Sequence, residues 1–150
     1  MDAVSYPQPS VIDFISNNLI PLRIAADHKE LAPRFRVKWT PVLLLLDASG
    51  AEVYRTLGFF SPEELIASLL LGIGKSNFDK AERSAAIKKF DLILKEYPQS
   101  GSTPEAVYLQ GVANYIETKD VSHLKELYQT LKRDYPQSTW LMRASPYSLL

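Results

Sequence analysis

A run of eleven residues in this 150-residue chain comes back near its end. Phe90-Asp-Leu-Ile-Leu-Lys-Glu-Tyr-Pro-Gln-Ser100 recurs as Tyr128-Gln-Thr-Leu-Lys-Arg-Asp-Tyr-Pro-Gln-Ser138, a displacement of 38 positions, from 90 to 128. Both copies lead apolar residues into a Tyr-Pro pair, and proline cannot continue a helix. The repeat therefore constrains the second half to helices closed by a common stop. Over residues 80–97, Ala86, Phe90, Ile93, Leu94 and Tyr97 fall at helical spacing. Thr103-Pro104 opens a second helix carrying Tyr108, Leu109, Val112, Tyr115 and Ile116 on one side. Val121, Leu124, Leu127, Tyr128, Leu131 and Tyr135 define a third, ended by Pro136, with a short tail over residues 140–147. Gly111 sits where a neighbouring helix can pack closely. No strand pattern occurs in this half.

The first half follows a different grammar. Pro9 opens a short helix with Val11, Phe14 and Ile15 on its apolar side. Leu19-Ile-Pro-Leu-Arg-Ile24 reads as a strand in which Pro21 cannot donate to a ladder. Residues 28–35 read as a short helix. Val42-Leu-Leu-Leu-Leu-Asp47 reads as a strand buried on both faces, Ala48-Ser49-Gly50 as a tight turn, and residues 51–57 as the antiparallel partner. Ser61-Pro-Glu-Glu64 is a helix start with Ser as N-cap and Pro at the first helical position. That helix carries Leu65, Ile66, Leu69 and Leu70 and is expected to stop at Gly72. Residues 73–78 then read as a linker.

Two resemblances follow from these residues. The repeated helices with their "YPQS" stops resemble tetratricopeptide-type hairpins, although the displacement of 38 exceeds the usual repeat of about 34 residues. In the first half, Asp27 after a strand, the helix ending Leu31-Ala-Pro-Arg-Phe-Arg-Val37, Trp39-Thr40-Pro41, the aliphatic strand, Gly58 and Ser-Pro-Glu-Glu-Leu65 are similar to the C-terminal two-thirds of thioredoxin-like domains. The resemblance implies a cis bond at Thr40–Pro41. The family's first core strand and its Cys-x-x-Cys have no counterpart here. The expected fold class is thus α/β. A truncated thioredoxin-like sheet of about three strands (19–24, 42–47, 51–57) would occupy residues 1–74, and a tetratricopeptide-like all-helical segment residues 75–150. The first two strands should be parallel, joined by a right-handed crossover.

Composition narrows the function. The chain has no cysteine, and thiol–disulfide exchange needs a thiolate as nucleophile and leaving group. As given, it is therefore read as a non-enzyme without cofactors. Lys plus Arg and Asp plus Glu both number 17, spread along both halves, so no basic face points to nucleic acid. The start, MDAVSYPQPS, has no basic n-region or apolar h-region, and the longest apolar run, Val42 to Leu46, is too short to span a bilayer. That reads as a cytoplasmic protein without membrane contact, although a longer parent could be exported. His28 and His123 lie far apart and lack further ligands, so capping or solvation is expected rather than a metal site. Gly72-Ile-Gly74-Lys-Ser76 fails the phosphate-loop pattern because residue 69 is Leu. No G-x-S-x-G elbow occurs. Glu63 and Glu64 are first-turn charges favoured by the helix dipole rather than a catalytic dyad.

The candidate contact residues are Trp39, Thr40, Pro41, Phe59 and Phe60. They flank the proposed cis-proline and the turn before the last helix of the first half, where thioredoxin-like proteins dock partners. Exposed, they form a peptide-binding patch; buried against the helical half, they do not. Two functions remain open: a protein-binding or scaffolding module, or an N-terminally truncated thiol–disulfide oxidoreductase whose Cys-x-x-Cys lies upstream of Met1. In either case an incomplete sheet with an unprotected aliphatic edge and zero net charge is expected to form a homodimer or larger oligomer.

Overall fold

The computed structural model describes residues 1–150. It is mixed α/β and mostly helical. The elements are α1 (Pro9–Asn18), α2 (Leu31–Arg34), β1 (Val42–Leu46), β2 (Glu52–Leu57), α3 (Pro62–Asp79), α4 (Arg83–Glu96), α5 (Thr103–Thr118), α6 (Ser122–Asp134) and α7 (Thr139–Arg143), followed by a 3-10 segment (Ser145–Leu149). The chain divides into two compact units, Met1–Ile66 and Ala67–Leu150, so the division falls inside α3. No helix is long and apolar enough to cross a membrane.

In the first unit β1 and β2 form an antiparallel two-stranded sheet, pairing Val42 with Leu57 and Leu45 with Tyr54. An irregularity between Leu45 and Leu46 shifts the register so that Leu46 faces Glu52. The turn is built by Asp47, whose Oδ1 accepts the N–H groups of Ser49 (2.9 Å) and Ala51 (3.0 Å) and the Ser49 hydroxyl (2.6 Å). Gly50 takes the left-handed conformation that the turn needs, at φ 79°.

The third strand does not form. The sheet has two strands, not three, and the parallel pair with its crossover is absent. Residues 21–30 are exposed throughout, and Ile20 and Leu22 are 98% and 80% exposed. The alternation of Ile20, Leu22 and Ile24 supplies a strand-like face, but no neighbour pairs with the segment, and Pro21 removes one donor. The following helix is also shorter than expected, Leu31–Arg34. His28 caps its start: its Nδ1 accepts the N–H groups of Glu30 and Leu31, both at 3.3 Å.

α3 begins as its sequence predicts, with the Glu64 N–H donating to the Ser61 hydroxyl at 3.3 Å. It does not stop at Gly72. Residues 73–78, expected as a linker, continue the helix to Asp79. Gly74 is there for space: a Cβ on it would lie 2.6 Å from Phe90 Cε1. The helix is read through rather than broken because the glycine meets a ring, and packing outweighs a propensity cost of about 1 kcal/mol.

In the second unit α4 packs on α5 and α5 on α6. The repeated tetrapeptide has the same local geometry twice. Tyr97 and Tyr135, which cap α4 and α6, adopt φ/ψ of −130°/46° and −133°/52°. In each copy the serine N–H donates to the tyrosine carbonyl at 3.0 Å. In each, the serine hydroxyl also accepts an N–H from two residues further on, Ser102 and Trp140, both at 3.1 Å. The Tyr135 hydroxyl donates to the Pro98 carbonyl at 2.8 Å, so the second stop is bonded to the first. Val107, Leu124, Leu127, Leu131 and Ala144 form a buried cluster, edged by Tyr108, Trp140 and Tyr147 among others. The Lys75 ammonium pairs with Glu105 at 2.6 Å.

Tyr147 gives this unit a pH limit. Its hydroxyl lies 3.3 Å from that of Tyr108. That bond first, then burial and the nearby Tyr108 and Tyr115 hydroxyls, push the Tyr147 phenol from 10.0 up to about 12. The folded chain thus holds this proton longer than the unfolded chain. The contribution is complete below pH 10.0 and is lost as the pH rises through about 12. Thermal melts across this window should therefore fall more steeply for the native chain than for Tyr147→Phe. Equal slopes would show that the phenol contributes nothing.

Candidate partner-binding surface

The hairpin does not end at its last paired residues. One further backbone bond, from the Gly58 N–H to the Pro41 carbonyl at 2.9 Å, extends the ladder beyond Val42 and Leu57. This bond brings two segments of sequence together, with Trp39 and Thr40 leading into Pro41 and Phe59 and Phe60 following Gly58. The Thr40–Pro41 bond is cis. Gly58 has φ 97°, and no atom lies within 4 Å of where its Cβ would be, so glycine is needed for the backbone rather than for space.

Trp39 and Phe59 are 76% and 61% exposed. Thr40 is also exposed, while Pro41 and Phe60 are half-buried. Phe60 is held from behind, its carbonyl accepting a hydrogen bond from the hydroxyl of the fully buried Ser5. Leu57, which the sequence reading did not single out, is 54% exposed at the same end of the sheet. Its signal was available in the sequence, because it closes the alternating strand immediately before Gly58. None of these side chains carries a titratable group. The surface offers aromatic and aliphatic area beside backbone groups, which suits docking rather than proton transfer or nucleophilic attack.

The other residues singled out in the sequence have local roles. His28 caps α2, and His123 Nδ1 lies 3.8 Å from Glu126. Glu63 and Glu64 lie in the first turn of α3. No three metal-ligating side chains converge anywhere in the chain. Comparison with family models, curated proteins and solved structures gives no match.

Proposed function

We propose that this chain is a non-catalytic protein-binding module, with a thioredoxin-like first unit and a tetratricopeptide-like second unit. The single observation that carries the reading is the exposure of Trp39 and Phe59 on either side of the Pro41–Gly58 bond. Large aromatic side chains left in water beside a hydrogen-bonded backbone junction are the residues from which binding hot spots are made. The hairpin entered at Pro41 supports the first half of the assignment, and the equivalent geometry of the two "YPQS" stops supports the second. A second copy belongs among the partners, because β1 and β2 each pair on one side only.

The test uses a Trp140→Phe chain, in which Trp39 is the remaining indole. An unfolded, carboxymethylated polypeptide is titrated while Trp39 fluorescence is followed. A saturable change is expected, weakened about 30-fold by Phe59→Ser, as the loss of one hot-spot side chain implies. Sedimentation at micromolar concentration should show species larger than a monomer. Unsaturable fluorescence with an unaffected Phe59→Ser variant would sink the binding assignment, and a monomer at every concentration would remove the second copy from it.

A further inference from the structure

The first unit also carries a cleft that the aromatic surface does not use. It is an open depression of about 380 Å³ lined by Arg34, Phe35, Arg36, Glu52 and Arg55. Its charges are unevenly matched. Arg55 binds Glu52 in a fork, Nε to Oε1 at 2.8 Å and Nη2 to Oε2 at 2.7 Å, and also donates to the Phe35 carbonyl. The fork holds the Glu52 carboxyl below its usual range. Arg34 and Arg36 have no carboxylate within 4.0 Å. The Arg34 guanidinium lies 5.2 Å from the centre of the Phe35 ring.

The backbone makes Arg36 more telling. α2 ends in a two-bond motif, with the Val37 N–H donating to the Ala32 carbonyl at 2.9 Å and the Arg36 N–H to the Pro33 carbonyl at 3.1 Å. The residue at the turn of this motif is ordinarily glycine, because it must be left-handed. Here it is Arg36, at φ 50°. An arginine therefore stands where the fold favours glycine, and it makes no close ion pair, its charge acting on Glu52 only from beyond 4.0 Å while Arg55 holds that carboxylate directly.

We propose that this cleft binds a phosphate group, free or as a monoester of a small organic molecule, between Arg34 and Arg36. Guanidinium forks match phosphate oxygens in pairs. Three guanidiniums against one carboxylate leave two positive charges, which a phosphate dianion balances and a monocarboxylate does not. The Phe35 ring offers an apolar wall to an organic remainder, and the volume falls within the small-ligand range of about 300–1,000 Å³.

The site is independent of the partner surface and is tested separately. The full chain is titrated with inorganic phosphate and with phenyl phosphate by calorimetry, with chloride holding the ionic strength constant. Saturable binding of both is expected. Equal affinities point to free phosphate, whereas tighter phenyl phosphate points to an organic ester. Arg36→Gly should weaken binding at least tenfold while its melting temperature without ligand is unchanged or higher by up to about 4 °C, since glycine suits the turn. Arg34→Gln should weaken binding similarly, without a gain in melting temperature. No saturable binding, or undiminished binding in folded Arg36→Gly and Arg34→Gln, would overturn the proposal.

Discussion

Phe90→Ala is expected to destabilise the second unit by about 3–5 kcal/mol. Phe90 is fully buried in the middle of α4. Its ring meets α3 at Gly74, where a Cβ would come within 2.6 Å of Cε1 and 3.1 Å of Cδ1 and Cζ. A cavity of ring size in a close-packed region costs both the lost transfer energy and the void, and glycine brings no side chain to fill it. The same contact makes the effect non-additive. Gly74→Ala alone should destabilise, because the buried ring cannot move aside. In the Phe90→Ala background the added methyl meets empty space and gains helix propensity of about 1 kcal/mol. Urea unfolding, followed at Trp140 in a Trp39→Phe chain, should give a coupling of about 1 kcal/mol or more across the four variants. Additive losses would mean that Phe90 and Gly74 do not touch.

Gly111 provides the second large effect, and here two terms oppose. Alanine in the middle of α5 would gain helix propensity of about 1 kcal/mol. Its Cβ, however, would stand 2.5 Å from Leu127 Cδ2, 2.7 Å from Leu127 Cβ and 3.1 Å from the His123 carbonyl. The methyl carbon can rotate away, but the Cβ and the carbonyl move only if α5 and α6 separate. Overpacking of this kind costs about 1–3 kcal/mol, and the contact here involves backbone as well as side chain, so Gly111→Ala should be a net loss of up to about 2 kcal/mol. Gly111→Val, bulkier and β-branched, should lose about 3 kcal/mol or more. The same urea experiment decides it; stabilisation by alanine would show that propensity outweighs the contact.

Much of the fold was legible because it rests on local chemistry. The aliphatic run 42–46, the Asp47–Gly50 turn and the alternation that follows specified the hairpin. Ser61-Pro62 and Thr103-Pro104 marked helix starts, and Pro98 and Pro136 marked helix ends. The misreadings share a cause: a residue's meaning depended on something distant. Ile20, Leu22 and Ile24 alternate like a strand, but a strand exists only when a neighbour accepts its bonds, and none does. Gly72 and Gly74 read as a stop because the ring that Gly74 accommodates lies 16 positions away, at Phe90. At the aromatic surface, the Pro41–Gly58 bond links the two sequence segments that hold Trp39, Thr40, Phe59 and Phe60, a long-range pairing, while the exposure of Leu57 at the strand's end has no sequence mark beyond its alternation. The arginine cleft had no local signal, since it joins the end of α2 to β2 and depends on a left-handed Arg36.

The two "YPQS" stops bear on how such a chain changes its length. Each turns its helix with bonds taken from its own residues and the two that follow, and each leaves the backbone at nearly the same angles. A stretch of gene copied from just after one stop to the end of the next would carry its own closing device and join a stop that is already compatible with it. Even the bond between stops, from Tyr135 to the Pro98 carbonyl, would be regenerated at the new junction, because the copied segment brings the tyrosine and the preceding stop supplies the proline. The helical unit can thus lengthen by in-frame duplication, in whole steps, without its existing joints having to evolve anew.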